Sequence, residues 1–499
     1  MMPVLLTTDV LIFLLIAVAL GFGVYASRHE YLRGPWRSVG RSRVGVAALV
    51  IIGFYLFIGL LDSLHFYPRI EPLRESDSET AAESQAQSGT DDRVASTAAT
   101  EARYSTQVLS VLDLWLTGLR ERQEKTFSAP FATHLFVKEA IEQPDGSVVR
   151  GYPRLAYGGA HLDDPVQRNQ DLLVRGLFGV VKGLIAWTLL VAGLIWLLAR
   201  RRGESFEVAA EALWYGSPGD RNTGDDQVPW RTGLMTLGLM LVLSFVAAEL
   251  ATKYHILGTD KVGEDVFYQS LKSIRTGLVI GTLTTLVMLP AAVILGIMAG
   301  YFRGWTDDII QYLYTTLNSI PGVLLIAAAI LMLQVYMTNN AEQFESLVQR
   351  ADLRLLFLCI ILGVTSWTGL CRLLRGESLK LRAVDYVQSA KALGVRHSTI
   401  IGRHILPNVL HIVMITVVLD FSGLVLAEAV LSYVNIGVDP TMNSWGNMIN
   451  SARLELARDP IVWWSLAAAF VFMFTLVLAA NLFADVVRDA FDPRLRSVR

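Results

Sequence analysis

Long apolar runs alternate with polar segments along this chain, and each run is long enough to cross a membrane. A spanning helix needs about 18 or more predominantly apolar residues. The pattern therefore predicts an all-α polytopic membrane protein with about nine spans. The predicted spans centre near residues 8–27, 44–61, 174–199, 232–250, 275–300, 309–336, 353–372, 408–432 and 460–484. We expect the first to be an anchor and not a signal peptide, because no positive residues precede it.

The longest polar interruption, residues 62–173, has two halves of different composition. Residues 71–101 are mostly Ser, Ala, Thr, Gln and acidic residues, so they have little to bury and are predicted to be disordered. In the second half, apolar residues recur at helical spacing and predict one amphipathic helix; they are Val108, Leu109, Leu112, Leu116 and Leu119. The Asp145-Gly146 pair between two short strand-like stretches predicts a hairpin. We therefore expect a small α+β insert.

A second polar segment, residues 386–408, reads YVQSAKALGVRHSTIIGRHILPN and lies between two apolar runs. Asp385 precedes it, at a helix start where the helix dipole favours a negative charge. Gly394 falls where a helix C-cap needs a residue that tolerates positive φ. A second helix is expected to begin with Ser398 or Thr399 as its cap. The pattern predicts a helix–glycine–helix elbow, and such a compact polar elbow suggests a surface on which another protein pushes.

Composition supports a membrane protein and argues against other classes. The 499 residues are 53% hydrophobic and 18% charged, whereas soluble domains carry about 25% charged residues. The net charge of −2 and the lack of a basic patch with interleaved aromatics argue against a nucleic-acid partner. Cys359 and Cys371 lie in one apolar run, about 18 Å apart on a helix, which excludes a disulfide between them.

Clusters of Lys and Arg set the expected orientation, because such clusters stay in the cytoplasm. With nine spans all four fall on one side, so the N-terminus is predicted outside, the C-terminus inside and the insert outside. The clusters are residues 28–43, 200–202, 372–403 and 488–499. The predicted order is accessory helices (1–61), external insert (62–173), a third accessory helix (174–199), a cytoplasmic linker (200–231) and a six-span unit (232–499).

Catalytic chemistry is absent from the motifs. The sequence has no G-x-x-x-x-G-K-[ST], no H-E-x-x-H and no G-x-S-x-G, so no nucleotide, metal or catalytic site is predicted in this chain. His134 and His161 share the insert, and a metal pair is conceivable, but surface or hydrogen-bonded histidines are the favoured interpretation. If the chain drives uphill transport, the energy must come from another subunit.

Three blocks of sequence resemble binding-protein-dependent ABC importer permeases of the dipeptide/oligopeptide class. The elbow is similar to their coupling motif through Gln388, Ala390 and Gly394, followed by HILPN. The stretch HILGTDKVGED (255–265) is similar to H-x-L-G-T-D-x-x-G-R-D, and LSYVNIGVDPTMNSWG (431–446) is similar to a third family block. The ending RDAFDPRLR also matches, so the resemblance runs from about residue 230 to residue 499.

The resemblance implies a type I ABC importer permease core of about six helices, here preceded by about three extra helices and the insert. It implies a second homologous permease, two cytoplasmic ATP-binding subunits that hold the ATP, an extracytoplasmic solute-binding protein, the bacterial inner membrane and a peptide-like cargo. In the coupling loop 380–407, the implied ATPase contacts are Gln388, Ser389, Ala390, Ala392, Leu393, Gly394, Val395, Arg396, His397 and His404. The external-loop residues are Gly258, Thr259, Asp260, Gly263, Asp265 and Trp445, and the pathway or gate candidates are Asp420, Glu428 and Asn318.

Three positions depart from the family pattern. Gln388 replaces the leading Glu of the coupling motif, and Glu264 reverses the charge of an Arg in the external loop. Asp420 stands where the family has a small residue, and it is expected either to pair with Asn318 or Ser422 or to line a cavity. The first two departures, with the extra helices, motivate an alternative: a transport-inactive membrane scaffold that displays the insert.

One predicted span carries two G-x-x-x-G pairs, Gly277/Gly281 and Gly296/Gly300. Small residues at this spacing let two helices approach closely in a membrane, although glycine is common in spans and such pairs also arise by chance. Close packing at these pairs is the favoured interpretation.

Overall fold

The computed structural model of the chain is a bundle of long helices with small antiparallel sheets at one end. It describes residues 2–68, 105, 107–142, 148–215, 229–340, 342 and 346–491. In these ranges nine helices are long and apolar enough to cross a membrane, as the sequence predicts. The stretch predicted to be disordered and the Asp145-Gly146 turn lie outside the described residues.

The helices are α1 (Thr7–Arg28), α2 (Glu30–Arg41), α3 (Arg43–Asp62), α4 (Val111–Trp115), α5 (Thr117–Arg120), α6 (Arg168–Arg202), α7 (Phe206–Tyr215), α8 (Trp230–Ala251), α9 (Val266–Phe302), α10 (Trp305–Ser319), α11 (Gly322–Asn339), α12 (Leu347–Arg382), α13 (Asp385–Ala392), α14 (His397–Ile400), α15 (Leu406–Tyr433), α16 (Trp445–Glu455) and α17 (Trp464–Phe491). A 3₁₀ turn (Pro165–Gln167) precedes α6, and a π-helical turn (Ile401–Ile405) joins α14 to α15.

One predicted span, residues 309–336, has the wrong bounds. The chain forms two helices there, α10 and α11, and only α11 is long and apolar enough to span. The helix stops at Ile320, which is extended (φ −91°, ψ 129°) and stands directly before Pro321. A residue before proline disfavours the helical region because the proline ring crowds its backbone. The apolar count across 309–336 hid this break.

The strands build the end of the bundle that carries the insert. β1 (Met2–Val4) pairs antiparallel with β2 (His65–Tyr67), which pairs with β3 (Leu109–Ser110). A separate hairpin joins β4 (Glu139–Glu142) to β5 (Val148–Gly151). The hairpin predicted from the sequence is therefore confirmed, while the pairing of the N-terminal residues was not anticipated.

The single amphipathic helix predicted around Leu112 is wrong. Leu109 and Ser110 are in a strand, and the helix begins only at Val111 because Ser110 and Asp113 form a reciprocal capping box there. A break at Leu116 then separates α4 from α5. The apolar spacing was real, but local capping and strand pairing divided the segment into three elements.

The long helix α9 is the central element of the bundle and packs along α12. A Cβ added to Gly296 would lie 2.7 Å from the carbonyl oxygen of Cys371, and one added to Gly300 would lie 2.6 Å from that of Arg375. The absence of a side chain at these glycines lets the two helix backbones come together, which confirms the close packing predicted for this pair.

The helices that precede the six-span unit are packed around it. α1 contacts α9 and α12, α3 packs on α8, α9 and α17, and α6 runs along α8. The predicted linker 200–231 contains a helix, α7, whose buried Ala209 and Leu213 pack against Ile195 and Ala199 of α6. This helix was not predicted, because its short apolar stretch lies between polar segments of the linker.

Two ends of the bundle are distinguished below. The insert end carries the three-stranded sheet, the β4–β5 hairpin and the first turns of α9. The elbow end carries the last turns of α9, α13 and α14. With 37 residues, α9 is about 55 Å long and connects the two ends.

Candidate functional site: the elbow and the insert end

The elbow folds as a helix closed by a glycine. The Gly394 N–H donates to the Lys391 carbonyl at 3.1 Å, and the Val395 N–H reaches back to the Ala390 carbonyl at 3.1 Å. These two bonds make a Schellman motif, which requires a left-handed residue after the helix. Gly394 has φ +77°, so the predicted role of this glycine is confirmed.

The inner side of the elbow is anchored in the bundle. Val387, Ile400 and Ile405 are each no more than 2% exposed and belong to one apolar cluster with α9 and α12. The Tyr301 hydroxyl lies 2.7 Å from His397 Nδ1, which joins the elbow to the end of α9. A displacement of the elbow would therefore be transmitted to the central helix α9 through these contacts.

The predicted capping of the second elbow helix is wrong. The helix begins at His397, and its N-cap is Arg396, whose side chain makes no capping hydrogen bond. Ser398 and Thr399 consequently lie inside the first turn, where their hydroxyls are past the capping position.

The outer side of the elbow is exposed, and Leu393 is its most prominent residue. Leu393 is 83% exposed, and a Cβ added at Gly394 would meet no atom within 4 Å. Ser389, Ala392 and Arg396 are exposed as well. The Gln388 amide donates to the Ala383 carbonyl of the elbow itself at 3.1 Å. The tip of this polar elbow therefore carries an apolar side chain that its own chain does not cover.

His404 is a packing residue and not a chemical one. Its ring lies beside that of Tyr386, with centroids 5.9 Å apart. The Asn408 side-chain amide donates to the His404 carbonyl at 2.6 Å and to the Tyr386 hydroxyl at 3.2 Å. These contacts tie the first elbow helix to the start of α15.

At the insert end, the insert covers the base of the HILGTDKVGED motif, while Lys261, Val262 and Glu264 at its tip are exposed. Thr259 is fully buried; its hydroxyl donates to the Thr126 carbonyl at 2.8 Å and accepts from the Ser128 N–H at 2.7 Å. Gly263 has φ +84°, and a Cβ there would lie only 1.8 Å from the Glu124 carbonyl oxygen. The motif is thus a support for the insert and not a free loop.

The rest of this motif is held by its own hydrogen bonds. Asp260 accepts the N–H groups of Val262 and Glu264, both at 2.9 Å. The side-chain amide of Gln269 bonds Asp260 and Glu264, again at 2.9 Å. Gly258 is also left-handed, at φ +71°. The acidic Glu264 is therefore accommodated within the loop as a hydrogen-bond acceptor.

A buried histidine joins the insert to the core. His255 Nδ1 lies 2.7 Å from Asp265, and its Nε2 lies 3.4 Å from Glu124 of the insert. Burial alone would lower the pKa of His255, but the two carboxylates raise it to about 9. Burial would also raise the pKa of Glu124, yet His255 and three backbone N–H groups hold it at about 2. Those N–H groups belong to Ala156, Tyr157 and Gly158. The resulting ion pair fixes two segments of the insert to the core, one at Glu124 and one at residues 156–158.

Lys272 of α9 makes a second buried junction. Its ammonium lies 2.6 Å from Asp62 of α3 and 3.0 Å from Asp113 of the insert, and the Tyr268 hydroxyl donates to Asp113 at 2.7 Å. Asp62 and Asp113 are 3% and 4% exposed. One cation therefore holds together an accessory helix, the insert and the central helix.

Arg275, one turn further along α9, makes a third. Its guanidinium donates to the Asp9 carboxylate of α1 at 2.6 Å, and His65 Nδ1 lies 2.8 Å from the same carboxylate. The Thr8 N–H donates to Asp352 of α12 at 3.2 Å. Sequence reasoning missed these junctions. The available signal was that Asp9, Asp62 and Asp352 each stand within two turns of the end of an apolar run.

Trp445 is a buried anchor of the insert end. It is 1% exposed, its indole N–H donates to the Ser270 carbonyl at 3.1 Å, and its ring lies where a Cβ on Gly277 would come within 2.9 Å. The sequence placed Trp445 in an external loop; the structure shows it as the first residue of α16, packed on α9. Gly277 provides the space for its ring, so at this position the missing side chain accommodates an aromatic ring and not the backbone of a neighbouring helix.

The pathway candidates fall into different environments. Glu428 is 1% exposed and accepts from the Ser432 hydroxyl at 2.7 Å, next to the backbone of Gly446. Asn318 is on the exposed side of α10 and accepts from Thr368 of α12 at 3.1 Å. Glu428 is thus enclosed by its own chain, whereas Asn318 is exposed.

The expected pairing of Asp420 is wrong. Asn318 is bonded to Thr368, and the Ser422 hydroxyl donates to Asn481 at 2.6 Å. Among the described residues no hydrogen bond to the Asp420 carboxylate is found, although the residue is half-buried near the middle of α15. A carboxylate at this depth without a partner in its own chain is energetically costly.

The two histidines of the insert are hydrogen-bonded. His134 lies 3.0 Å from the Thr133 hydroxyl, and His161 lies 2.8 Å from Asp171. In the described ranges no group of three or more His, Cys, Asp or Glu residues is arranged to hold a metal ion.

Comparison with known proteins identifies the family. The model of the binding-protein-dependent transport system inner membrane component matches residues 292–497. The chain is 32% identical over 245 residues to the glutathione transport system permease protein GsiD of Pectobacterium atrosepticum, which covers 49% of this chain and 74% of that protein. It is 30% identical over 250 residues to the oligopeptide transport system permease protein OppC of Haemophilus influenzae, covering 50% and 74%. The dipeptide transport system permease protein DppC of Bacillus subtilis is 29% identical over 242 residues, covering 48% and 69%.

The family match includes the elbow, and the nine apolar helices supply the membrane-spanning part that such a subunit requires. The fold predicted from the resemblance is thereby confirmed. The chain belongs to the family of inner-membrane permease subunits of binding-protein-dependent ABC importers.

Proposed function

We propose that this permease forms, with a second homologous permease, the translocation pathway for peptides or similar small solutes. Two ATP-binding subunits at the elbow end would supply the energy, and a solute-binding protein would deliver cargo at the insert end. The relatives named for glutathione, oligopeptide and dipeptide transport support a peptide-like cargo. ATP would be held by the partner subunits, because no phosphate-binding motif occurs in this sequence.

The elbow is the observation that carries the proposal. Its tip, from Ala392 to His397, presents Leu393 to solvent while Val387 and Ile400 fix its base in the bundle. We expect the tip to seat in a groove of an ATP-binding subunit. Closure of the nucleotide-bound dimer would move the elbow as a rigid body and tilt the spans between two states.

A transmission route from the elbow into the bundle supports this mechanism. Arg375, near the elbow end of α12, forms a two-point ion pair with Asp307 of α10, at 2.6 and 2.8 Å. Paired N–H···O bonds of this kind fix orientation as well as distance. Movement of the elbow would therefore carry α10 together with α12.

Replacing Leu393 by Ser tests docking. The variant should lose co-purification of the ATP-binding subunits and lose uptake, while the amount of chain in the membrane stays unchanged. Leu454→Ser is the matched control, because Leu454 is 68% exposed but lies in α16 at the insert end. Equal ATPase binding by wild type and the Leu393 variant would contradict the proposed contact.

Gly394→Val tests coupling separately from docking chemistry. A β-branched residue cannot adopt positive φ cheaply, so the tip should be misplaced and uptake lost in a chain that still inserts. Normal uptake by this variant would remove the elbow from the mechanism. If uptake by the wild-type complex is itself absent while the complex assembles, the transport-inactive scaffold becomes the better description.

We further propose that Asp420 faces the pathway or the second permease. Its position near the middle of α15 and its lack of a partner within the described chain support a counter-charge from outside. Asp420→Asn should raise the half-saturating concentration for cargo with a free amino group more than for the same cargo acetylated at its N-terminus. An equal effect on both cargos would argue for a contact with the second permease instead.

The orientation is also a proposal: the insert end outside the cell and the elbow end in the cytoplasm, with the N-terminus out and the C-terminus in. The asymmetric Lys and Arg clusters support it. In a background without Cys359 and Cys371, a cysteine at Val148 should react with an impermeant thiol reagent in intact cells or spheroplasts. A cysteine at Ser398 should react only after lysis, and the opposite pattern would invert the topology.

A further inference from the structure

Two apolar side chains of the insert are exposed side by side on the short helix α4. Trp115 is 68% exposed and Leu114 is 43% exposed. The other side of the same helix is buried, with Leu112 and Asp113 each 4% exposed. A tryptophan displayed to water in this way is unusual for a small domain that already has an apolar core beneath it.

The position of Trp115 relative to the spans explains this exposure. Its ring centroid lies 6.4 Å from that of Phe57 on the spanning helix α3. Phe57 precedes the last residue of α3, Asp62, by five residues, which is about 7 Å along the helix axis. The indole therefore lies level with the outermost turns of an apolar span and not above its end.

The buried charges at Lys272, Asp62 and Asp113 indicate the same depth for Trp115 by a separate argument. Asp113, two residues before Trp115, bonds Lys272 together with Asp62. Asp62 is the last residue of the apolar helix α3, so the headgroup region is expected at about the height of these buried charges. Trp115 lies beside Phe57, on a spanning helix whose apolar residues Leu49, Leu56 and Phe57 are exposed in this chain. Exposed apolar residues on a spanning helix are expected to face lipid.

We propose that Leu114 and Trp115 are inserted into the bilayer interface and anchor the insert to the membrane. The occupant of this surface is lipid, because the exposed pair continues the lipid-facing side of α3. Tryptophan favours this depth, since its ring is apolar and its N–H can donate to headgroup oxygens. Among the described residues none accepts a hydrogen bond from the Trp115 indole N–H, which leaves it free to do so. The insert is thereby held at two places, by buried ion pairs to the core and by an aromatic anchor in lipid.

Site-specific quenching in liposomes tests the anchor. The full-length chain, without Cys359 and Cys371, would carry an environment-sensitive fluorophore on Leu114→Cys, which keeps Trp115 in place, or on Trp115→Cys. Phe57→Cys marks the lipid-facing span, and Val148→Cys marks the β4–β5 hairpin, where Val148 is 66% exposed. Quenching by lipids with a nitroxide near the headgroup is compared with quenching by aqueous iodide.

The label at Leu114 should be quenched by the nitroxide lipids about as strongly as the label at Phe57. Its iodide quenching constant should be several-fold lower than at Val148, with a blue-shifted emission. Iodide quenching equal to that at Val148 would place the pair in water and overturn the proposal. Protection from both quenchers would show that protein covers the pair, and would overturn it as well.

A second arm measures what the anchor does. Trp115→Lys should speed cleavage of the insert by added protease several-fold in liposomes, but not in detergent above its critical micelle concentration. Trp115→Phe should restore the wild-type rate, because it keeps an apolar ring. A Lys variant cleaved at the wild-type rate in liposomes would show that the insert does not depend on a lipid anchor.

Discussion

The two ends of this permease use the same kinds of residue in opposite ways. At the insert end, the base of a family-like motif with left-handed glycines is covered by the chain's own insert, so that Thr259 and Asp265 are 0% and 3% exposed, while Val262 at its tip is 50% exposed. At the elbow end, a motif also built around a left-handed glycine is open, with Leu393 83% exposed. Both motifs match the family in sequence, but the insert covers the base of one and leaves only its tip exposed, whereas the whole outer side of the other is open.

This difference shows what sequence resemblance leaves undecided. A motif fixes backbone geometry, because glycine at positive φ and a capping Asp are local requirements. Whether the surface around it is free depends on segments elsewhere in the chain. The insert, which has no counterpart in the resemblance, supplies Glu124, Ser128 and Thr126 to a loop that would otherwise be exposed. A partner that approaches the insert end would meet the insert as well as the exposed tip of that loop.

The substitution with the largest expected effect is Lys272→Met. The substitution keeps the apolar part of the side chain but leaves Asp62 and Asp113 buried without a counter-charge, which should destabilise the junction by about 3–5 kcal/mol. Denaturant unfolding, followed by a fluorophore on a cysteine at Val148, measures the loss. Lys125→Met is the matched control, because Lys125 pairs with Glu139 but is 70% exposed; it should cost less than about 1 kcal/mol. Equal losses would mean that the insert is not held by buried charge.

The pH dependence of insert docking is the second test. The pKa of His255 is raised from 6.5 to about 9, so its contribution is complete below pH 6.5 and is lost as the pH rises through 9. The pKa of Glu124 is lowered from 4.5 to about 2, so its contribution is complete above pH 4.5 and is lost as the pH falls towards 2. Docking should therefore be most stable between these limits and weaken on the alkaline side by about 3 kcal/mol.

His255→Gln provides the control for this profile. It should abolish the alkaline loss between pH 6.5 and 9, because the amide does not titrate, and it should be less stable than wild type at pH 6. The same unfolding measurement at a series of pH values reports both effects. A wild-type profile that is flat from pH 6 to pH 10 would contradict the ion pair. Among residues 385–408 of the elbow, all of which the structure describes, no such buried ion pair is found.

Two left-handed glycines isolate packing from backbone preference. Gly394→Ala should cost only the left-handed penalty of about 1–2 kcal/mol, because no atom lies within 4 Å of the added Cβ. Gly263→Ala pays the same penalty and in addition places a Cβ 1.8 Å from the Glu124 carbonyl oxygen, so the backbones must separate. The loss at Gly263 should exceed that at Gly394 by about 2 kcal/mol or more. Similar losses at the two glycines would show that the insert yields easily.

Apolar length and local turn signals were sufficient to predict the spans, the hairpin and the glycine of the elbow. These features depend on residues close together in the chain. The break between α10 and α11 was missed because the apolar count extended through Pro321. The long amphipathic helix was wrong because the capping by Ser110 and the pairing of Leu109 with Phe66 divided it.

The junctions at the insert end could not be predicted for a different reason. Lys272 and Asp62 are 210 positions apart in sequence, and His255 and Glu124 are 131 apart. A single sequence contains no signal for which buried carboxylate meets which cation. The same limit applied to Asp420, for which two partners were expected and neither is used. The elbow was predicted more completely, because its geometry arises within about 20 consecutive residues.

The smallest expected effect concerns the departure at Gln388. Its amide donates to the Ala383 carbonyl at 3.1 Å, a bond that Gln388→Glu cannot make because a carboxylate has no donor. The added charge lies near the start of α13, where the helix dipole is favourable by about 0.3–1 kcal/mol, although Asp385 one turn earlier opposes it. These effects nearly cancel, so the stability of the chain should change by less than about 0.5 kcal/mol.

If the ATP-binding subunit keeps a basic residue opposite this position, Gln388→Glu should leave co-purification unchanged or improve it slightly at low salt, with the gain lost at high salt. Gln388→Ala, which removes the hydrogen bond without adding charge, is the control. Weaker ATPase binding by the Glu variant than by the Ala variant would show that the partner's groove is not basic at this point.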